Sequence, residues 1–355
     1  MRKIFCILMI LVLTGSFSCA AAESGWADAN VPLVRMPETI EVVPYDELPP
    51  VVSGQHHYLL LCIDQWDKDA RPDGAPSPKQ SNGVDRKDIY GNTDGIVLVT
   101  LDTRAHRVML TSIIRDALIR KPNSDTDGKE HYGRINYVYN DFGPEALCRV
   151  ISQHLGVRVE KYILFTFRQI QDIINMDIFG GVDVDLNSEE IAYLHRYRVP
   201  PRSVVSVTSG KDVHYTTPPA GTYHLNGHSA VLYMRIRKAG GGGDFMRTQR
   251  VRTVLSKLAD KCRSISWEDA QAFANSILDH NNKTNMNLQD MMNAAEQAFQ
   301  LRSCTIEELR IPAKDAVRPI NYANMAAQEI HWPSCREAMA DYLQNSFLVI
   351  DDEDE

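Results

Sequence analysis

The residues best able to do chemistry crowd into one stretch, "AVLYMRIRKAGGGGDFMRTQRVRTVL", residues 230–255. Arg235, Arg237, Asp244, Arg247 and Arg250 fall within it, and Gly240 to Gly243 divide them. A guanidinium is a planar fork that matches phosphate oxygens two at a time, so several together can clamp an anion. The glycines would let such a loop close over its ligand. Three further charged positions end or precede apolar runs: Asp64 after "LLLCI", Asp94 in "NTDGIVLV", and Arg115 with Asp116 in "SIIRD". In α/β proteins ligand-binding residues collect at such strand ends. Two aspartates supply hard oxygens of the kind Mg²⁺ takes, usually one or two carboxylates plus substrate phosphates. If the clusters converge, the site suits a diphosphate carried with a divalent cation. Spacing leaves that convergence an assumption, because surface ion pairs of the same composition are common.

The chain has 355 residues, is 44% hydrophobic and 24% charged, and carries a net charge of −8. That is a globular composition for one large domain or two small ones. The acidic balance argues against nucleic-acid binding, which wants a basic domain. A cleft still focuses the field of its own lining, so a local basic cluster can bind a small anion. The opening "MRKIFCILMILVLTGSFSCAAAES" has a positive start, an apolar run from Ile4 to Leu13, and small residues at Ala20–Ala22. This is an export signal. Residues 1–22 are either cleaved or kept as a membrane anchor, since residues 4–22 are just long enough to span a bilayer. Export places the rest outside the cytoplasm. Of the five later cysteines none has CxxC spacing. Cys62 and Cys148 read as core residues, and one disulfide could form among Cys262, Cys304 and Cys335.

The elements that must hold these charges alternate between strand and helix. Residues 23–54 are Pro-rich and acidic and read as a linker or extended arm, and residues 55–349 form the folded domain. Residues 58–63 are a buried strand, and 65–93 a long polar loop. Residues 96–101 and 107–113 form a hairpin. Leu147, Val150, Ile151 and Leu155 share one face of a helix that Gly156 stops. "YILFTF" and "GGVDVDL" are strands, and "RQIQDIINM" a short helix. Val251, Val254, Leu255, Leu258, Ala259 and Cys262 recur at helical spacing over 247–262. Residues 267–280, 287–300 and "SCREAMADYLQNSF" are further helices, "IEELRIP" a late strand, and 350–355 an acidic tail. The pattern predicts a three-layer α/β/α domain with a central mixed sheet.

Other templates fail: there is no GxSxG, no GxxxxGK[ST] and no HExxH. The pair His56–His57 reads as a surface pair, and His154 as a packed helix residue.

Taken together, "LLLCID", "NTDGIVLVTLDTRAHRVMLTSIIRD", "GRINYVYNDFGPEAL", "FGGVDVDL", "GTYHLNGHSAVLYMRIRK" and "DFMRTQR", in that order over residues 58–262, resemble the LytR–CpsA–Psr family of cell-wall glycopolymer transferases. The resemblance implies an extracytoplasmic, cell-envelope enzyme acting at the membrane surface. It would take a glycopolymer from a polyprenyl-pyrophosphate carrier and transfer it to peptidoglycan as a phosphodiester, assisted by Mg²⁺. By that pattern Asp64 and Asp94 are the metal-side aspartates. Arg115, Arg235, Arg237 and Arg247 hold the pyrophosphate, with Arg250 as a further polar position of the substrate site. Arg115, Asp116, Arg237 and Asp244 are the candidate catalytic residues, and Asp94 and Asp244 the candidate bases. The sequence departs from the pattern at Ile114, where the family usually has Pro, and at Val251, where it often has Gln. The loop between Asp64 and Asp94 also looks longer than usual. Two rival readings keep the same site: a polyprenyl-pyrophosphate hydrolase, and a non-catalytic lipid-pyrophosphate-binding regulator.

Overall fold

Side-chain alternation along β1, Gln55–Ile63, sends Leu59, Leu61 and Ile63 to one face of a sheet and Tyr58 and Leu60 to the other. Each set packs into its own core, so the sheet is the middle layer of three. The computed structural model describes residues 39–63, 92–124, 129–177, 179–236, 243–262, 283–301, 304–313 and 315–344. The expected signal or anchor, the start of the arm, Asp64 with the long loop, the helix over 267–280 and the acidic tail lie outside the described residues.

In chain order the strands are β1, β2 (Thr93–Asp102), β3 (Arg107–Ile113), β4 (Leu118–Arg120), β5 (Tyr132–Arg134), β6 (Lys161–Thr166), β7 (Val182–Leu186), β8 (Val204–Ser206), β9 (Gly221–Leu225), β10 (Lys283–Thr284), β11 (Thr305–Ile311), β12 (Val317–Tyr322) and β13 (Met325–Ile330). The helices are α1 (Val138–Phe142), α2 (Pro144–Leu155), α3 (Phe167–Asn175), α4 (Ser188–Arg196), α5 (Gly227–Met234), α6 (Gly243–Cys262), α7 (Leu288–Gln300) and α8 (Trp332–Gln344). The main sheet has the order β10-β6-β1-β2-β3-β11. Strands β1, β2 and β3 are antiparallel, while β6 runs parallel to β1 and β11 parallel to β3. The sheet is therefore mixed, as the element pattern predicts. Not foreseen is a second, antiparallel sheet, β7-β9-β8. Its outer strand β8 is only three residues long, too short for periodicity to register.

One face of the main sheet is filled by α2 and α8. Leu147, Val150, Ile151 and Leu155 of α2 pack with Trp332, Cys335 and Met339 of α8 against Leu59, Leu61 and Leu98. Gly156 ends α2 in the left-handed region, φ 71°, where its N–H reaches the Ser152 carbonyl. His154 is packed here as expected. Its Nδ1 donates to the Val150 carbonyl at 2.7 Å and its Nε2 accepts the Arg120 N–H at 3.1 Å, so the neutral ring is fully satisfied. Burial pushes its pKa down to about 3. The pair at 56–57 differs from a surface reading: strand alternation turns His57 inward, where its Nδ1 meets Thr100 Oγ1 at 2.8 Å. Burial lowers its pKa to about 4.

The described part of the arm is fastened to this layer. The Val43 N–H bonds the Gln153 carbonyl, and the Tyr45 ring meets the guanidinium groups of Arg149 and Arg158, 4.8 and 5.0 Å from its centre. Helices α3 to α7 and the small sheet cover the opposite face.

Candidate functional site

Two local devices set the walls of the site. The first is a capping box at the junction of β6 and α3. Thr166 Oγ1 accepts the Gln169 N–H, and the Gln169 side chain accepts the Thr166 N–H at 2.8 Å. The second is the "LNG" segment. Asn226 caps α5 through the Ser229 N–H, and the Gly227 N–H reaches Asn175 Oδ1 at 2.7 Å. A Cβ at position 227 would stand 2.1 Å from the Gln171 carbonyl oxygen, so only glycine lets α5 lie this close to α3.

Between these helices, α6 and the sheet lies a cavity that opens to solvent. The sheet contributes Leu60, Val97 and Phe165, α3 contributes Phe167, Ile170 and Ile173, and α5 contributes Met234. The stripe Val251, Val254, Leu255 and Leu258 of α6 forms the long wall. Among the described residues its charged lining is Asp94, Arg235 and Arg247. Arg247 and Leu258 are separated along α6 by about 16 Å at 1.5 Å per residue. The cavity is thus a long apolar groove with its charge at one end.

At that end Asp94 stands between two arginines. Its Oδ1 accepts from Arg115 Nη1 and lies 3.5 Å from Arg247 Nη1. Arg115 and Arg247 are buried, at 9% and 5% exposure, so one carboxylate faces two cations in a weakly screened setting. The Arg235 guanidinium lies over the Phe167 ring, 4.5 Å from its centre. Among the described residues at this end, Asp94 faces Arg115, Arg235 and Arg247, and the balance is positive.

Asp116 steadies this arrangement from outside. Its Oδ2 is 3.7 Å from Arg115 Nε, and its Oδ1 accepts from Arg134 Nη1 at 3.1 Å. Arg134 in turn donates to the Tyr137 hydroxyl and stacks on that ring. Arg134 lies within "GRINYVYNDFGPEAL" but carried no separate signal, because it acts through another side chain. The groove residues were likewise invisible as a groove: their periodicity is that of ordinary core.

The structure therefore brings together Asp94, Arg115, Asp116, Arg235 and Arg247. Asp64, Arg237 and the side chain of Asp244 lie outside the described residues; the backbone of Asp244 is the second residue of α6. Arg250 is not among the groove residues, contrary to its expected place in the substrate site. It is 1% exposed and bonds Glu190 Oε1 at 2.7 Å. Val251, the departure from Gln, lines the groove directly.

Fold and site define an α/β protein with an apolar groove closed at one end by buried arginines. Residues 81–336 match the LytR_cpsA_psr family, and the chain belongs to it. A curated relative, the polyisoprenyl-teichoic acid–peptidoglycan teichoic acid transferase TagV of Bacillus subtilis strain 168, is 29% identical over 176 residues, 50% of this chain and 40% of TagV. Biofilm regulatory protein A of Streptococcus mutans is 24% identical over 199 residues, 56% of this chain and 45% of that protein. This chain thus spans less than half the length of these two relatives. The solved structure of the LytR-CPS2A-psr family protein YwtF (TagT) with bound octaprenyl pyrophosphate lipid shares the fold, with a TM-score of 0.55 at 20% identity over 88% of this chain and 98% of that one. Among the described residues no helix is long and apolar enough to cross a membrane.

Proposed function

We propose that this protein transfers a glycopolymer from a polyprenyl-pyrophosphate lipid to peptidoglycan at the cell envelope. The observation that carries the reading is the groove: an apolar channel ending in Asp94, Arg235 and Arg247 suits a molecule with a long hydrocarbon tail and an anionic head. Named transferases among its relatives, and a fold neighbour with bound octaprenyl pyrophosphate, support it. In the reaction an acceptor hydroxyl oxygen attacks the polymer-side phosphorus. The bond from that phosphorus to the bridging oxygen breaks, and polyprenyl phosphate leaves. The hydroxyl proton passes to a carboxylate, for which Asp244 and Asp94 are the candidates. Arg115, Arg235, Arg237 and Arg247 offset charge on the leaving phosphate, since phosphoryl transfer depends on positioning and charge neutralisation.

Mg²⁺ is part of the proposal. Asp94 has the oxygen chemistry such an ion takes, and Asp64 directly follows Ile63, which pairs with Thr93 across the sheet. When bound, the ion would neutralise pyrophosphate charge. An ionised carboxylate already committed to Mg²⁺ is a poor base, which favours Asp244 for the proton.

The test is to incubate the protein with a synthetic polyprenyl-pyrophosphate oligosaccharide, peptidoglycan oligomers and Mg²⁺, and to seek the sugar–phosphate–peptidoglycan adduct by mass spectrometry. Arg115→Ala and Arg237→Ala serve as controls. An adduct that requires Mg²⁺ and disappears in both variants is the expected result. Lipid cleaved without adduct would favour hydrolysis. Lipid bound tightly and left intact would favour a regulatory binding protein, the reading that Val251 and the name of the Streptococcus mutans relative lend weight to.

A further inference from the structure

Among the described residues, Arg250 donates to two other parts of the chain. Its Nε donates to Glu190 Oε1 at 2.7 Å, and its Nη1 to the Ile236 carbonyl at 2.9 Å. Glu190 is committed at both ends. Its Oε2 accepts the Asn187 N–H at 3.0 Å, and its own N–H donates to Asn187 Oδ1 at 2.9 Å, the capping box of α4. The Tyr233 ring lies 5.9 Å from the Arg250 guanidinium. One buried ion pair thus joins the start of α4, the end of α5 and the first half of α6.

Such a pair is an inefficient way to gain stability, because desolvating two charges offsets much of their attraction. Its directional fork is a good way to fix geometry. What it fixes is the carbonyl just past α5. Arg235, the preceding residue, closes the last turn through its N–H to the Val231 and Leu232 carbonyls and lines the charged end of the groove.

We infer that Glu190 and Arg250 are positioning residues, which hold the end of α5 so that Arg235 meets the anionic head of the ligand without touching that ligand themselves. This rests on the reading of the groove as a polyprenyl-pyrophosphate site. Arg247 and Arg250, three residues apart, then have different work: one lines the groove and the other sets the position of Arg235.

The experiment compares binding of octaprenyl pyrophosphate and of octaprenol, which has the tail and no charged head. It uses the full chain, Arg250→Lys and Glu190→Gln, each also in an Arg235→Ala background. Melting temperature and hydrogen exchange of the Leu232–Ile236 amides are measured alongside. Arg250→Lys and Glu190→Gln are each expected to lower affinity for the pyrophosphate about tenfold, within the coupling range of residues in one hydrogen-bond network, while octaprenol affinity holds. That loss should vanish once Arg235 is alanine, because residues acting through one another are non-additive. Exchange at Leu232–Ile236 should quicken. A loss that stays additive with Arg235→Ala would mean that Arg250 touches the ligand. Equal losses for both ligands with a lowered melting temperature would reduce the pair to a structural one. Unchanged exchange would overturn the inference directly. Should the wild-type chain fail to prefer pyrophosphate over octaprenol, the reading of the groove fails, and the exchange measurement still decides whether the pair holds α5.

Discussion

The two faces of the central sheet are built from alternate residues of the same strands, yet they end differently. On the α2–α8 face Leu59, Leu61 and Leu98 are fully buried, and Trp332 and Cys335 fill the space opposite. On the other face Leu60 and Val97 remain partly exposed, because α3 and α6 stand off far enough to leave the groove. An apolar space that its own side chains do not fill forgoes dispersion contacts. The comparison teaches that one face is packed shut while the other keeps an apolar groove, the place that the proposed function gives to a lipid.

The largest effect that would sharpen this contrast lies at the charged end. Arg247→Ala should lower the rate of adduct formation by about 10²–10³-fold, as expected for a lost transition-state donor. Stability, read as a urea midpoint, should change far less. On the closed face the pattern reverses. Leu98→Ala should destabilise the fold by about 2–5 kcal/mol, with octaprenyl pyrophosphate affinity per folded molecule unchanged. If Leu255→Ala in the groove costs as much as Leu98→Ala, the two faces do not differ as argued.

A titration separates the faces more gently. His57 and His154 belong to the closed face and are buried neutral, with pKa values lowered to about 4 and about 3. The unfolded chain therefore binds more protons. This contribution to stability is complete above the unfolded histidine value near pH 6.5 and is lost as pH falls toward the folded values. Each histidine should cost on the order of 1 kcal/mol between pH 7 and 5.5, seen as a falling urea midpoint. A flat midpoint over that range would contradict the packing described.

The smallest effect expected is at Val251. Val251→Gln restores the residue common in the family and adds one hydrogen-bonding group at the groove, which should raise pyrophosphate affinity about threefold. A clear loss instead would show that this wall serves the tail alone.

Much of this was legible beforehand. Runs such as "YLLLCI", the helix over 144–155 with its glycine stop, and the late strand at "IEELRI" follow from local periodicity and capping, which depend only on near neighbours in the chain; that the late strand runs parallel to β3 does not. The charge clusters, too, were visible by residue type and position at strand ends, and Asp94, Arg115, Asp116, Arg235 and Arg247 do meet. Arg134 was missed because it acts on Asp116 from a separate strand.

By itself the sequence determined the longer strands and helices that build the main sheet and its cover, the mixed three-layer class, and that arginines and aspartates were available for an anion. Tertiary structure alone decided that Val251, Val254, Leu255 and Leu258 wall a groove, and that Arg247 enters it while Arg250 turns to Glu190. The reason is physical. Periodicity reports which side of a helix leaves water, but what fills the space opposite, and which carboxylate a guanidinium reaches, is set by elements far away in the chain.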